Sequence, residues 1–285
     1  MASNGITNGH TNGNAAPPLP QAKPHEYVPK QTLLTPLSRR GVGPGLIVVV
    51  PEAGSFDAPK NTSIDNGVPA VLTKWAEEGY TVVELQAGLE SLKSAISAAL
   101  EELRNCDSCE PKERVGVVNY DPTVWSKLST ALEGSSSIVG AVSYADVADN
   151  TIEVSFPIPS IHHLAGKAAG KLPRTSSVTA YDYPALKSYE FAVPFTSSFD
   201  YANEAVSHTR NLTFLKKLMN GPYFDLEAIW DEHTYYEFEN RSVEHTMATM
   251  VQEPYVNHVP TVRHAQSQCE SSANIFIAYR RYWTS

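Results

Sequence analysis

Arg114-Val-Gly-Val-Val-Asn-Tyr-Asp-Pro-Thr-Val-Trp125 is the stretch on which the fold turns. Val115 to Val118 reads as a strand buried on both faces. Asn119-Tyr120-Asp121 is a sharp turn, and Pro122 opens a helix predicted to run to Leu132, because proline is favoured at the first helical position. A strand-to-helix turn of this kind presents a catalytic nucleophile when it reads G-x-S-x-G or G-x-C-x-G. Here both glycines are absent and the nucleophile position holds Asp121. The next residue, Pro122, has no backbone N–H, and that N–H supplies half of the oxyanion hole in such an elbow.

Working outward, strands and helices alternate. Gly45-Leu-Ile-Val-Val-Val50 is a continuous apolar run, as expected of a strand covered on both faces. Val68, Val71, Leu72 and Trp75 share a helical face, and Gly79 is placed to stop that helix. Tyr80 to Leu85 is the next strand. Leu89, Leu92, Ala95, Ile96, Ala99, Leu100 and Leu103 form a helical stripe. Ile138 to Tyr144, Ser160 to Ala165 and Val178 to Tyr181 are three further short strands. Ala205, His208, Leu212, Leu215 and Met219 mark the apolar face of a closing helix. This alternation implies βαβ units and a mainly parallel sheet.

The flanks differ from this centre. Residues 1–30 are rich in Asn, Gly, Pro, Thr and Ala and are expected to form a disordered tail. Asp225 to Met250 predicts a long helical stretch, Glu253 to Pro260 an extended segment, and residues 262–285 a poorly ordered tail. Residues such as Ile229, Trp230 and Phe238 are expected to be exposed there, which points to self-association.

Several segments together resemble the dienelactone hydrolases (carboxymethylenebutenolidases). They are Leu46-Ile-Val-Val-Val-Pro-Glu-Ala-Gly54, Trp75-Ala-Glu-Glu-Gly-Tyr-Thr-Val-Val83, Val115-Gly-Val-Val118, Ile161-His-His-Leu-Ala-Gly166, Phe191-Ala-Val-Pro194 and the helix from His208 to Lys216. The resemblance covers residues 31–219. Residues 220–261 are similar to the start of a SnoaL-like (NTF2-like) extension carried by a fungal subgroup of that family, and residues 262–285 depart from it. The roughly 40 residues of that extension are too few to close a cone-shaped sheet. The resemblance therefore implies a three-layer α/β-hydrolase-like sandwich with a mainly parallel sheet, plus an incomplete α+β C-terminal extension.

The family's Cys, Asp and His triad, with an early Glu, is what the resemblance implies for the site. Carried over position by position, the nucleophile falls on Asp121. The acid falls in Lys167-Ala-Ala-Gly170, where there is no carboxylate, and the base falls on Tyr189. Glu52 alone keeps the family's residue type. Glu52, Asp121 and Tyr189 are thus the candidate catalytic residues, with Tyr120 and Pro122 as candidate pocket residues. Asp121 also fits a bland role, because an Asp before a Pro suits the N-cap and first position of a helix. His162 and His163 point to opposite faces of a strand, and a structural role is favoured for both, as it is for His208.

Composition narrows the function classes. The chain has 285 residues and 42% are hydrophobic, enough for one α/β domain and a smaller unit. Net charge is −9 with no basic segment of note, which argues against nucleic acid as a partner. There is no run long enough to span a membrane, and the N-terminal composition lacks a charged-then-apolar leader, pointing to the cytoplasm. The three cysteines do not suggest a disulfide framework. Cys106-Asp-Ser-Cys109 follows a helix rather than opening one, unlike a redox pair. No metal or cofactor is implied. The expected ligand is a small lactone or polyketide-like molecule. The degenerate triad suggests binding with little or no hydrolysis. The alternatives are an active hydrolase or lyase with a rebuilt site and a self-associating interaction module.

Overall fold

The apolar runs become the middle of one eight-stranded sheet. The computed structural model describes residues 23–52, 64–65, 68–132, 134–149, 158–250, 255–258 and 263–266. The strands are β1 (His25–Val28), β2 (Gln31–Leu34), β3 (Gly45–Val50), β4 (Thr81–Gln86), β5 (Val115–Asn119), β6 (Ile138–Asp146), β7 (Ser160–Ala165) and β8 (Val178–Tyr183). Their order across the sheet is β1-β2-β4-β3-β5-β6-β7-β8. β1 and β2 form an antiparallel pair, β2 runs antiparallel to β4, and all remaining neighbours are parallel.

Two helix layers cover the sheet. On one face lie α1 (Val71–Glu77) and α4 (Tyr201–Met219), packed on Leu46, Val48, Val118, Val142 and Ile161. On the other lie α2 (Leu92–Asn105) and α3 (Trp125–Leu132), packed on Ile47, Val49, Val83, Val115 and Val117. Successive residues of β3 thus feed opposite layers, which is why its sequence is apolar throughout. This strand order and these three layers define an α/β-hydrolase fold. Gly116 and Gly140 are register partners on β5 and β6. A Cβ on Gly116 would meet Met219 Sδ at 2.7 Å, and one on Gly140 would meet Leu218 Cδ1 at 2.6 Å. These two glycines let α4 lie close on the sheet.

Some elements differ from the sequence reading. β1 falls inside the stretch expected to be a tail. It is an outer strand with one apolar anchor, Tyr27, which packs on the α2 side and donates to Gln31 at 3.1 Å. An edge strand needs little apolar sequence, so composition did not reveal it. Val68 belongs to a two-residue strand rather than to α1. The segment from Pro122 begins as a tight 3₁₀ turn, Pro122–Val124, before α3 starts at Trp125. Residues 1–22 and 267–285 lie outside the described residues, so expectations for those parts stay as stated above.

The chain divides into two compact units, one Pro20–Phe224, the other Met1–Leu19 with Asp225–Ser285. Within the second, α5 (Leu226–Thr234) passes into a π turn at Tyr235–Glu239, and α6 (Val243–Ala248) follows. The long helix expected there is interrupted, because Arg241 takes a left-handed φ of 56° and Ser242 caps α6 through His245 N–H. Tyr255–His258 pairs antiparallel with Arg263–Gln266, which places a strand inside the expected tail.

Glu84 on β4 is a buried carboxyl, 5% exposed, opposite Thr32 and Val48. Burial lifts it from 4.5 to about 7. The folded chain therefore holds this proton more tightly than the unfolded chain. The stability linked to Glu84 is complete below about pH 4.5 and is lost as pH rises through about 7. Glu84→Gln should remove that component and stabilise the protein at pH 8 by up to roughly 3 kcal/mol. The check is the difference between denaturant midpoints of variant and wild type from pH 5 to 8. A difference that stays flat with pH contradicts this account of Glu84.

Candidate functional site

β3 is followed by β4 on one side and neighbours β5 on the other, so the strand order reverses between β3 and β5. In open α/β sheets, ligands bind in the crevice outside the carboxyl ends of the strands at such a switch point. Glu52 follows β3 there, and Tyr120, Asp121 and Pro122 follow β5. Tyr120 N–H donates to Val49 C=O at 2.8 Å, tying the two strand ends together.

Glu52 accepts a hydrogen bond from Lys30 Nζ at 2.5 Å, with the two side chains 46% and 39% exposed. Lys30 sits in the β1–β2 turn at φ 65°. Gly88 makes room for the carboxylate, since a Cβ there would lie 2.5 Å from Glu52 Oε2. Such an exposed pair contributes about 0–1 kcal/mol, so its significance is its position beside the switch point.

Asp121 is 7% exposed and has φ −121° and ψ 102°, ordinary extended backbone. A nucleophile elbow is a strained turn, and that strain is absent here. Asp121 Oδ1 accepts from Thr123 N–H at 2.9 Å and from Thr123 Oγ1–H at 2.6 Å. Asn119 Nδ2–H donates to Asp121 C=O at 2.8 Å. The carboxylate is the N-cap of the 3₁₀ turn, with Pro122 buried at the first position.

Tyr120 is a core residue. It is 2% exposed, its hydroxyl accepts from Trp75 Nε1–H at 3.0 Å, and its ring stacks on Tyr144 at 4.9 Å. Burial pushes its phenol well above the ordinary range. Tyr189 opens a 3₁₀ turn after β8, and its backbone N–H donates to Asp146 Oδ1 at 2.6 Å at the end of β6. The fold therefore gathers Glu52, Tyr120, Asp121 and Pro122 at the switch point and attaches Tyr189 to a different strand end.

Sequence reasoning missed the polar system beneath α4. Tyr120, Tyr144, His163 and Tyr181 form a cross-strand column. Tyr144 is in register with His163, and His163 with Tyr181. Ring centroids are 4.9, 4.8 and 5.8 Å apart along it, with interplanar angles of 9°, 23° and 13°. Trp75 of α1 holds the Tyr120 hydroxyl, and α4 together with Tyr183 satisfies the buried polar atoms of Tyr144 and His163. Asn211 Oδ1 lies 2.7 Å from His163 Nε2, and an amide oxygen only accepts. His163 Nε2 must then carry the proton, and Nδ1 accepts from Tyr183 OH at 2.7 Å. Arg210 Nη1–H donates to Tyr183 OH at 3.1 Å. On the other side, Asn211 Nδ2–H donates to Tyr144 OH at 2.7 Å. Tyr144 OH then donates to Ser207 Oγ at 3.0 Å, and Ser207 donates to Glu204 C=O at 2.8 Å. Burial drives the His163 imidazole down to about 3, so it is neutral at physiological pH.

The other histidines weighed above are also structural. His162 is buried, lies 3.1 Å from Ser160 Oγ, meets Trp125 edge-on, and is lowered to about 4 by burial. His208 pairs with Glu78 Oε1 at 3.1 Å beside the buried Lys74–Glu204 ion pair. Cys106 and Cys109 are free thiols. Burial pushes the Cys109 thiol up to about 12, far from the thiolate that redox chemistry needs.

No family model matches the chain, and no curated protein matches it. Among solved structures it is similar to the acylaminoacyl peptidase of Pyrococcus horikoshii, at 14% identity and TM-score 0.40, over 74% of this chain and 44% of that one. It is also similar to the dipeptidyl peptidase 4 of Porphyromonas gingivalis, at 10% identity and TM-score 0.41, over 66% of this chain and 33% of that one. A third is the dienelactone hydrolase of Anabaena variabilis, at 12% identity and TM-score 0.40, over 69% of this chain and 96% of that one. The match thus spans less than half of each peptidase. Among the described residues, no helix is long and apolar enough to cross a membrane.

If the Asp121 carboxylate serves as a cap, Asp121→Ala should lower stability by about 1 kcal/mol. Asp121→Asn, which keeps an acceptor oxygen, should lose much less. Chemical denaturation of both variants tests this. Equal losses for Ala and Asn would mean that the cap hydrogen bond is not what Asp121 contributes.

Proposed function

We propose that this chain is a dienelactone-hydrolase-like protein with a degenerate catalytic triad. In this reading it binds a small lactone or polyketide-like molecule near the switch point and hydrolyses it little or not at all. The observation that carries the reading is the turn after β5. Asp121 has relaxed backbone and a carboxylate engaged by Thr123, and Pro122 has no N–H to offer an oxyanion. Losing one oxyanion donor alone costs roughly 10²–10³ in rate. The position matching the base holds Tyr189, which supplies no imidazole.

A second reading is an active hydrolase or lyase with a rebuilt site. The exposed Glu52–Lys30 pair beside the switch point favours it, as an accessible charged group at the carboxyl end of β3. A third reading, self-association through the C-terminal helices, draws on the exposure of Leu226, Trp230 and Phe238. The likeness to a SnoaL-like extension and to its fungal subgroup belongs with the first reading. So does a cytoplasmic location.

A screen of p-nitrophenyl esters and dienelactones separates the first two readings. The expected result is no rate above background for the wild type and no rescue by Asp121→Cys. Such a cysteine would still lack a base at Tyr189 and an N–H at Pro122. Clear turnover by the wild type that is lost in Glu52→Gln or Asp121→Asn would overturn the degenerate-triad reading in favour of the rebuilt site.

A further inference from the structure

We infer that the outer edge of β8 carries an anion site for a phosphoryl group, built from Arg174 and Arg210 around Tyr181. Both guanidinium carbons lie 4.0 Å from the centre of the Tyr181 ring. The two charges are thus within about 8 Å of each other, comparable to the Debye length at physiological salt. Like charges brought this close repel, and a native surface normally places a carboxylate between them. Among the described residues, none pairs with either arginine. Asp182, between Tyr181 and Tyr183 on β8, projects from the opposite face of the strand and accepts from Ala168 N–H at 3.1 Å. Glu204 is the one acid within α4, and it is paired with Lys74. The β7–β8 connection, Gly166 to Ser177, has Lys167, Lys171 and Arg174 but no acid, in a chain of net charge −9. Among the described residues, neither arginine makes an ion pair.

The site is held in place rather than loosely hung. Pro173 C=O accepts from Ala180 N–H at 3.0 Å, and Thr175 N–H donates to Val178 C=O at 2.8 Å, fixing the backbone on either side of Arg174 along the strand edge. Arg210 is oriented by its hydrogen bond to Tyr183 OH at 3.1 Å. The guanidinium carbon of Arg174 lies over the same Tyr181 ring as that of Arg210. Two guanidinium forks suit the oxygens of a phosphoryl group. A phosphate monoester carries about −1.5 to −2 charges at pH 7, enough to neutralise both arginines. The ligand class is therefore a phosphoryl dianion, either free phosphate or a small organic monoester.

Calorimetric titration of the full chain at low salt tests this, with inorganic phosphate, phenyl phosphate and sodium chloride at matched ionic strength as probes. The expected result is saturable binding of at least one phosphoryl probe and none of chloride. Arg174→Gln should weaken that binding about tenfold or more, the loss typical of a charged hydrogen bond. Arg174→Lys, which keeps the charge without the fork, should fall between. Arg174 is exposed, so both variants should melt like the wild type. Tighter binding of phenyl phosphate would identify a monoester as the ligand, and tighter binding of inorganic phosphate the free ion. Either result supports the site. Heats reproduced by chloride, affinity unchanged in Arg174→Gln, or no binding of either probe would overturn it.

Discussion

The packing of α4 on the sheet depends on a column of four rings, three of them in register on adjacent parallel strands and the fourth, Tyr120, just past the end of β5. Neighbouring strands lie about 4.8 Å apart, and the rings of Tyr120, Tyr144, His163 and Tyr181 repeat that spacing at 4.8 to 5.8 Å. Each ring carries a polar atom, and the inner three are almost wholly buried. A buried polar atom left without a partner costs about 1–3 kcal/mol. α4 must therefore present Ser207, Asn211 and Arg210 at defined heights, which fixes its rotation about its own axis. Gly116 and Gly140 let it come close enough to do so. Donors and acceptors run in one direction from Arg210 through Tyr183, His163, Asn211, Tyr144 and Ser207 to the Glu204 carbonyl, so a single histidine tautomer satisfies the whole chain.

The same column bears on the chemistry of the switch point. Tyr120 immediately precedes Asp121. It is held by Trp75 at its hydroxyl and by Tyr144 at its ring face. With that residue locked into the core, the turn leaves β5 in a relaxed conformation and the Asp121 carboxylate falls onto Thr123. An elbow that presents a nucleophile stores backbone strain. This turn instead satisfies its own polar groups locally. Among the described residues at the switch point, the Glu52–Lys30 pair stays open to solvent.

The layered fold was legible because its signals are local. Apolar runs at 45–50 and 115–118 and the stripe from Leu89 to Leu103 follow the periods of strand and helix. The Asp121 cap was legible for the same reason, since Asp-Pro at a helix start has a local explanation. The column was not. Tyr144, His163 and Tyr181 are far apart in sequence, and only strand register brings them together. The inward face of α4 carries Glu204, Ser207, His208 and Asn211. The sequence pattern places His208 on the apolar face, but an apolar-period search reads Glu204, Ser207 and Asn211 as surface, and polar residues at helical spacing on the sheet-facing side are the one signal that could have exposed them. Chain order puts Glu52 just after β3, but its partner Lys30 lies in a turn whose strand, β1, composition had hidden.

The most direct test of this account is the protonation of His163, followed by nitrogen and carbon chemical shifts of the imidazole in the labelled protein from pH 8 to pH 5. With burial lowering it to about 3 and Asn211 accepting from Nε2–H, His163 should remain neutral in the Nε2–H form throughout. A midpoint near the ordinary histidine value of 6.5, or an Nδ1–H signature at any pH in the range, would contradict the directed network on which the packing of α4 rests.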